Sequence, residues 1–388
     1  MRILLWAPRG AGTHYWGPGT SAFRLYSNNI SDNVSVTLAH ASAQQATFSN
    51  VYCHQVKLGV LDRKSITNKI IYLFNSIIYI IKNHKKFDVM HVLGFYWDSF
   101  IPAWLFSLLG GRCFIKITGD NSGLKNNGFL SRVTGLSLVR KLCANKFSGY
   151  IAISNEITEL LKEYGVHDSK IFQIPNGVCI ERFRFLSPIE KRRCRHLHGF
   201  PQVFSFVFCG GISERKRTFE TVVAASIASQ LTSTPFRLYL VGPDREAAHL
   251  IGKILNFVSD HGLNDVVKVV GATEEPELYY GISDAFILPS KSEGMSNALL
   301  EAMSCGIPSI VTKVSGSVDL IEEGVSGVFT TGQPEDIARH MHRFITGDVN
   351  IRMMGMAARQ TIISGYSYDI VWRKHIELFS ANSLGKVG

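Results

Sequence analysis

Short apolar runs alternate along the chain with longer stretches in which apolar residues recur at helical spacing. Runs of the first kind are typical of buried strands, and stretches of the second kind are typical of helices. The predicted strands are residues 2–6, 34–39, 87–93, 113–117, 150–154, 203–209, 238–241, 266–270 and 286–288. Because strands that alternate with helices form parallel sheets, the pattern predicts the α/β class.

The segment between residues 286 and 312 is the most informative of these strand–helix units. A polar loop with Glu293 and Gly294 follows the strand, and a helix is predicted to begin at Ser296. Ser296 is a suitable N-cap, and Gly306 followed by Pro308 is typical of a helix end. Loops at the carboxyl ends of strands bind ligands in open α/β sheets, so Gly294 is a predicted ligand contact.

Two glutamates eight residues apart bracket the start of this helix. Backbone N–H groups at a helix start suit a diphosphate, so Met295, Ser296 and Asn297 are predicted to contact phosphate groups. A carboxylate accepts several hydrogen bonds, so Glu301 can hold the two hydroxyls of a ribose, and Glu293 those of a second sugar. The alternative is a solvated helix residue and a charged loop residue.

The length and charge of the chain indicate two domains and an anionic partner. The 388 residues suffice for two domains of ordinary size. The first 187 residues contain 21 Lys and Arg against 10 Asp and Glu, a balance of +11, whereas the remaining residues have a balance of −1 and the whole chain +10. A nucleic acid, an anionic membrane and a lipid diphosphate are candidate partners for this half. Nucleic acid is not supported, because the sequence has no zinc-finger or RNP-like motif.

The seven cysteines are scattered and no pair has metal-ligand spacing, which predicts a reducing compartment and no metal site. The first apolar run has five residues, so it is predicted to be a strand and not a signal peptide. Residues 66–81 form a strongly apolar helix, shorter than the roughly 20 residues of a bilayer span. Two interpretations remain: a helix packed on the sheet, which we favour, and an interfacial membrane helix. The predicted location is the cytoplasm, at the inner face of the cell membrane in the second case.

Residues 289–312 resemble the Glu-x7-Glu signature of the family-4 retaining glycosyltransferases. The similarity includes Pro-Ser, Glu-Gly, Leu-Glu-Ala-Met and Cys-Gly-Ile-Pro, and Ile-Pro-Asn-Gly-Val at 174–178 resembles another segment of that family. The resemblance implies the GT-B fold, in which two Rossmann-like α/β domains face a central cleft. It also implies that Glu301 binds the ribose of a nucleotide-sugar donor and that Glu293 contacts the transferred sugar.

Residues 210–217 resemble the Gly-Arg-x-x-x-x-Lys-Gly segment of the same family. The resemblance implies that Lys216 contacts the donor diphosphate and takes part in catalysis. Gly211 stands where the family has its arginine, so this donor-binding position lacks the usual cation. Arg215 or Arg217 is expected to compensate, and a charged surface turn is the alternative.

Three candidate residues come from the first half of the chain. Gly17 and Gly19 lie in a glycine-rich stretch that resembles the family's donor-facing glycine loop, although a surface turn fits as well. Asp120 stands where many family members have a histidine near the transferred sugar, so it is a candidate catalytic residue or a loop-capping carboxylate.

The resemblance implies a retaining hexosyltransferase that uses a nucleotide-diphosphate sugar of the UDP or GDP type, without a cofactor. Residues 1–186 are expected to bind a glycan or lipid-linked acceptor, and residues 187–365 the donor. A last helix, about 366–388, is expected to pack back on the first domain. The expected pathway is bacterial surface polysaccharide synthesis, such as lipopolysaccharide, O-antigen or capsule. The alternatives are a sugar-nucleotide epimerase or phosphorylase of the same fold, and a non-catalytic basic binding protein.

Overall fold

The computed structural model of the chain describes residues 1–11, 17–29, 33–42, 52–61, 65–119, 136–244 and 249–381. The chain forms two compact units. The first unit consists of Met1–Gly177 and Tyr368–Gly388, and the second of Val178–Ser367. Each unit contains one parallel sheet with helices between its strands, as the sequence predicts.

The first unit is built on a seven-stranded parallel sheet. Its strands are β1 (Arg2–Trp6), β2 (Ser35–His40), β3 (Cys53–Lys57), β4 (Val89–Leu93), β5 (Arg112–Ile117), β6 (Gly149–Ala152) and β7 (Ile171–Gln173). The strand order is β3-β2-β1-β4-β5-β6-β7, so the direction of winding reverses between β1 and β4. Such a reversal opens a crevice at the carboxyl ends of the two strands.

The described helices of the first unit connect these strands or follow them. They are α1 (Gly17–Asn29), α2 (Ile66–Asn83), α3 (Trp97–Leu108), α4 (Leu136–Cys143), α5 (Asn155–Glu163) and the C-terminal α14 (Tyr368–Ala381). Every residue of β4 is buried, because helices cover both faces of a central strand in this type of sheet.

Helix α14 belongs to the first unit although it ends the described chain. It packs through aromatic rings: Trp372 lies 5.4 Å from Tyr26, and Phe379 lies 5.4 Å from Phe114, between ring centres. Its first residue approaches Gly177 so closely that a Cβ there would lie 2.7 Å from Tyr368 Cδ1. Position 177 therefore requires glycine, as part of the docking of α14.

The first unit ends at Gly177, nine residues before the boundary placed near 186 from the sequence. Residues 178–186 belong to the second unit because they bond to it. The Val178 N–H donates to Tyr366 O at 2.9 Å, and the Ser304 hydroxyl donates to Phe183 O at 2.6 Å. Hydrogen bonds between residues far apart in sequence leave no local signal, so the sequence places the division at the next turn.

The second unit contains a six-stranded parallel sheet. Its strands are β8 (Phe204–Cys209), β9 (Phe236–Val241), β10 (Val267–Gly271), β11 (Ala285–Leu288), β12 (Ser309–Thr312) and β13 (Gly327–Thr330). Its helices are α6 (Pro188–Leu197), α7 (Thr218–Leu231), α8 (His249–Asp260), α9 (Pro276–Ile282), α10 (Asn297–Ser304), α11 (Ser315–Val318), α12 (Pro334–Thr346) and α13 (Ile351–Gly365). The strand order β10-β9-β8-β11-β12-β13 reverses between β8 and β11.

The helix start predicted at Ser296 is confirmed, and the structure shows a second capped start at Ser187. Ser187 and Glu190 form a reciprocal capping box at the start of α6, and the Ser296 hydroxyl accepts from the Leu299 N–H at the start of α10. The edge strand β3 was not predicted, because most of its residues are polar and it has no buried face.

Two buried histidines hold α14 against β4 in their neutral form. His375 donates from Nδ1 to Val371 O at 2.7 Å, and its ring centre lies 5.5 Å from that of His91. Burial, and next the charge of Lys116, lowers the pKa of His375 to about 3, although the bond to Val371 opposes this. Burial likewise lowers the pKa of His91 well below its ordinary value.

We expect the first unit to lose stability as the pH falls below about 6.5. The unfolded chain binds protons there that the folded chain cannot, at about 1.4 kcal/mol per pH unit for each histidine. The His375→Phe substitution should reduce the dependence of the unfolding free energy on pH by about 1.4 kcal/mol per pH unit, the contribution of one histidine. Urea unfolding of both proteins between pH 7 and 5 measures it, with His198→Phe at an exposed position as the control. An equal slope in the wild type and His375→Phe would contradict the assignment.

Candidate active site

The candidate site of the second unit lies where its strand order reverses. The segment 210–217 follows β8 and the segment 289–296 follows β11, and these two strands are paired. The segments bond directly, because the Lys291 N–H donates to Arg215 O at 2.8 Å and the Arg215 guanidinium donates to Ser292 O. The two motifs that the sequence singled out therefore form one site.

The carboxylate of Glu293 lies between two cations. Its Oε1 is 3.3 Å from Lys216 Nζ and 3.2 Å from Arg215 Nη1, and it accepts a hydrogen bond from the Ser290 hydroxyl at 2.9 Å. Only 12% of the Glu293 side chain is exposed, so it is not an ordinary charged loop residue. Among the residues that the structure describes, its Oε2 has no hydrogen-bond partner, which leaves an acceptor for a ligand hydroxyl.

Glu293 remains ionised because of these neighbours. Burial by itself raises the pKa of a carboxyl group, but Lys216, then Arg215 and the Ser290 hydroxyl, hold the pKa of Glu293 below its ordinary value. The site therefore contains two positive charges and one fixed negative charge, with a net positive balance for an anionic ligand.

The position of the Lys216 ammonium depends on a glycine. A Cβ at Gly210 would lie 2.6 Å from Lys216 Nζ, and Gly210 has a φ of 142°, which side chains rarely adopt. Gly242 stands behind it, and a Cβ there would lie 2.0 Å from Gly210 O. The pair of glycines lets the chain after β8 pass close to the end of β9 and leaves space for the lysine.

We expect Gly210→Ala to displace the Lys216 ammonium and to lower activity at least tenfold, since a small misplacement of a catalytic group has large effects. The strained φ should also destabilise the second unit by about 1 kcal/mol or more. Gly252→Ala is the matched control, because that glycine lies in α8 and a Cβ added to it would have nothing within 4 Å. Comparing initial rates and thermal midpoints of the two variants tests this, and a fully active Gly210→Ala would show that the lysine position is not decisive.

Arg217 and Gly211, in the same segment after β8, form no hydrogen bond or ion pair with the Glu293 carboxylate. Arg217 is the one non-glycine with a positive φ in the described chain, at 51°, and its guanidinium donates to Pro289 O at 3.2 Å. Arg215, and not Arg217, therefore lies with Lys216 and Glu293. Gly211 is followed by Ile212, whose N–H donates to Pro243 O at 2.9 Å, so the backbone here joins the β9 end.

Glu301 is buried one turn inside α10. Its Oε2 accepts a hydrogen bond from the Tyr280 hydroxyl at 3.0 Å, and that hydroxyl also lies 3.2 Å from Ala298 O. The interpretation of Glu301 as a solvated helix residue is therefore wrong. Tyr280, fully buried in α9, was missed from the sequence, because its apolar surroundings resemble those of any core residue.

The predicted phosphate contacts lie in order from the loop into α10. Gly294 O accepts from the Gly316 N–H at 2.7 Å, and a Cβ at Gly316 would lie 2.5 Å from the same oxygen. Met295 and Ser296 are buried, and Asn297 is the first residue of α10. The loop is therefore held by α11 at the start of the helix that Glu301 belongs to.

The candidates from the first half of the chain lie in the first unit or outside the described residues. Gly17 begins α1 and Gly19 is buried inside it, so both belong to a helix start and not to an extended loop. Asp120 lies outside the described residues.

No group of histidine, cysteine and carboxylate side chains that could hold a metal occurs in the described parts of the chain. Across the same residues, no helix has the length and apolarity needed to cross a membrane.

Two family models match the chain in consecutive parts. Residues 17–182 match the model described as Glycosyltransferase Family 4, and residues 204–347 match the model described as Glycosyl transferases group 1. Each half of the chain is therefore similar to a glycosyltransferase domain. The second match includes the whole site around Lys216, Glu293 and Glu301.

Relatives with assigned activities match part of the chain. A D-inositol 3-phosphate glycosyltransferase of Nocardiopsis dassonvillei is 27% identical over 53% of this chain and 49% of its own length. A UDP-Gal:alpha-D-GlcNAc-diphosphoundecaprenol alpha-1,3-galactosyltransferase of Escherichia coli is 27% identical over 56% of each chain. The chain thus spans about half the length of the curated relatives it matches.

A solved structure matches the whole fold. The crystal structure of Anabaena Alr3699/HepE in complex with UDP-glucose superposes with a TM-score of 0.76, covering 98% of this chain and 100% of the other at 18% identity. Identity this low shows the fold alone. The chain therefore has the α/β GT-B fold that was predicted, with two Rossmann-like units.

Proposed function

We propose that this protein is a retaining hexosyltransferase that moves a sugar from a nucleoside-diphosphate donor to a glycan or lipid-linked acceptor. The observation that carries the proposal is the carboxylate of Glu293, held at 3.3 Å and 3.2 Å by Lys216 and Arg215 at the reversal between β8 and β11. Glu301, buried at the base of the same loop, supplies a second carboxylate. Two carboxylates and two cations around one helix start fit a ligand with hydroxyls on both sides of a diphosphate.

The two cations are proposed to stabilise the leaving diphosphate. When the bond between the sugar and the diphosphate breaks, negative charge develops on the phosphate oxygens, and fixed positive charge at that place lowers the barrier. Lys216, Arg215 and the start of α10 provide this charge. Arg215, whose guanidinium lies 3.2 Å from the Glu293 carboxylate, is proposed to supply the cation that the Gly211 position lacks.

The carboxylates hold the two sugars of the donor. Glu301 is the proposed ribose ligand, as its resemblance to the family's second glutamate implies, and the hydrogen bond from the Tyr280 hydroxyl to its Oε2 fixes the carboxylate. Glu293 is the proposed ligand of the transferred sugar. Retention is proposed to follow from attack on the same face, with the leaving phosphate as the base. Gly17 and Gly19 stay predicted donor contacts, and Asp120 stays a predicted catalytic residue.

The acceptor is proposed to belong to bacterial surface polysaccharide synthesis. The Escherichia coli relative is named for a sugar carried on diphosphoundecaprenol, which is both lipid-linked and anionic. The basic first half of this chain, with its balance of +11, is suited to an acceptor of that charge.

A thermal-shift panel of UDP-, GDP-, ADP- and CMP-sugars tests the donor class. A ligand that binds the folded state raises the unfolding midpoint, by an amount that grows with its concentration relative to Kd. One nucleoside-diphosphate series should raise the midpoint in the wild type and fail to do so in Glu301→Gln. Product analysis with the donor alone then tests the reaction, because an epimerase converts the donor without any acceptor and a transferase does not.

We also propose that the protein contacts an anionic membrane through its first half. The attraction between the basic charges and lipid headgroups should weaken as salt rises. Sedimentation with phosphatidylcholine vesicles, with and without phosphatidylglycerol, measures it at low and high salt. Equal binding to both vesicle types at low salt would reject the electrostatic contact.

A further inference from the structure

Helix α2 turns an apolar face to the solvent. Five large apolar side chains on it, Ile66, Ile70, Ile71, Phe74 and Ile81, are between 47% and 72% exposed, and we call this surface the α2 face. Isolated exposed apolar residues are ordinary, but a contiguous set on one helix marks a binding surface.

The side of α2 that meets the protein is the more polar one. Its buried residues are Tyr72, Ser76 and Ile80. The Tyr72 hydroxyl donates to Asp98 O at 2.8 Å, and the Asn75 amide donates to Leu58 O at 3.0 Å. Hydrogen bonds therefore fix the helix to the unit, while most of its isoleucines point outward.

Other helices of the chain show the usual arrangement. Helix α12 buries Ile337, Ala338, Met341 and Phe344 and leaves its charged side chains toward the solvent. The reversed pattern of α2 is therefore a property of this helix and not of the fold. An exposed apolar face of this size lowers the solubility of a protein unless a partner covers it.

The shape of the α2 face fits a flat apolar layer. At 100° per residue, Ile66, Ile70, Phe74 and Ile81 fall within about 80° of one another, and they extend along roughly 22 Å of the axis. A hydrocarbon core is about 30 Å thick, so the stripe suits a helix that lies in the plane of the membrane surface and not one that crosses it.

The charges beside the α2 face favour an anionic surface. Residues 65–86 contain four lysines and no aspartate or glutamate, and Lys82, Lys85 and Lys86 are exposed at the end of the helix. A second copy of the chain would bring the same lysines and no acidic residue of this segment to meet them. Lipid phosphates neutralise them.

A neighbouring helix extends this edge. Helix α3 packs on α2, and both connect parallel strands of one sheet, so both end at the amino edge of that sheet. The end of α3 exposes Leu108 and Leu109. Apolar side chains and lysines thus occur together at one border of the unit, the composition of interfacial membrane segments.

We propose that the α2 face binds the surface of an anionic bilayer, with the isoleucines and Phe74 among the acyl chains and Lys82, Lys85 and Lys86 at the headgroup phosphates. The docking itself needs only the first unit. Its purpose, bringing the enzyme to a lipid-linked acceptor, rests on the proposed function. The proposal adds an apolar, salt-resistant component to the electrostatic contact.

Vesicle binding of full-length variants tests the proposal. In Ile70→Glu/Phe74→Glu, partition onto phosphatidylcholine–phosphatidylglycerol vesicles should fall on the order of a hundredfold at low and at high salt, since two apolar side chains no longer leave water. In Lys82→Ala/Lys85→Ala/Lys86→Ala, only the salt-sensitive part of the binding should be lost. Ile189→Glu is the matched control, because Ile189 in the second unit is as exposed as Ile66, at 72%.

Four outcomes separate the possibilities. Unchanged vesicle binding of the double variant overturns the proposal. A lipid-free dimer that the double variant converts to a monomer, with lipid binding unaffected, also overturns it and assigns the α2 face to a second copy. If the double variant loses vesicle binding and keeps its thermal shift with the cognate donor, the proposal holds. If no nucleotide sugar raises the unfolding midpoint of the wild type, the proposed function is refuted, and the vesicle result still stands.

Discussion

Lys216→Ala is expected to lower kcat roughly a hundredfold, with a smaller loss of donor affinity. Its ammonium lies 3.3 Å from the Glu293 carboxylate, at the carboxyl ends of β8 and β11, where the proposed diphosphate leaves. Losing one preorganised charge contact in the transition state typically costs on the order of 3 kcal/mol. Arg215 remains near the ground-state diphosphate and preserves part of the binding.

The pH profile of the variant provides a second measurement. Lys216 is the strongest of the groups that lower the pKa of Glu293, so removing it allows burial to raise that pKa. The acidic limb of the rate profile should move to higher pH in Lys216→Ala. Lys268→Ala, an exposed lysine of β10, is the control and should change neither quantity. If Arg215→Ala loses turnover while Lys216→Ala keeps it, Arg215 is the diphosphate contact instead.

Glu301→Gln is expected to weaken binding of the free nucleoside diphosphate roughly ten- to a hundredfold. A lost hydrogen bond to a charged group is worth about 1.5–3 kcal/mol, which corresponds to that range of affinity. The glutamine keeps the shape but has one acceptor oxygen. The Tyr280 hydroxyl, which donates to Glu301 at 3.0 Å, competes for that oxygen, so the ribose loses its partner.

Glu293→Gln is expected to leave diphosphate binding nearly intact and to impair transfer. The substitution removes the negative charge that faces Lys216 and Arg215, so both cations stay available to the diphosphate. The proposed contact with the transferred sugar is lost, and the free nucleoside diphosphate has no such sugar. Calorimetry of both variants with the cognate diphosphate decides between the roles. Loss of affinity in Glu293→Gln and not in Glu301→Gln would show that the two carboxylates are assigned in reverse.

Local signals in the sequence determined the class of the fold and pointed to candidate site residues. Apolar runs predicted the central strands, because a strand buried on both faces must be apolar along its length. Ser296 predicted the start of its helix, because capping uses side chains within the same turn. Lys216 and Glu293 were each found in a recognisable segment after a strand, and their contact at 3.3 Å follows from the pairing of those strands.

Contacts between distant segments were decided by the tertiary structure alone. Tyr280 orients Glu301 across 21 residues, and Gly210 makes room for the Lys216 ammonium after the chain has turned. For α2, the sequence showed a helix with many isoleucines but not which of its sides meets the protein. Hydrogen bonds from Tyr72 and Asn75 settle that, because a buried polar group must find a partner whereas an exposed isoleucine needs none.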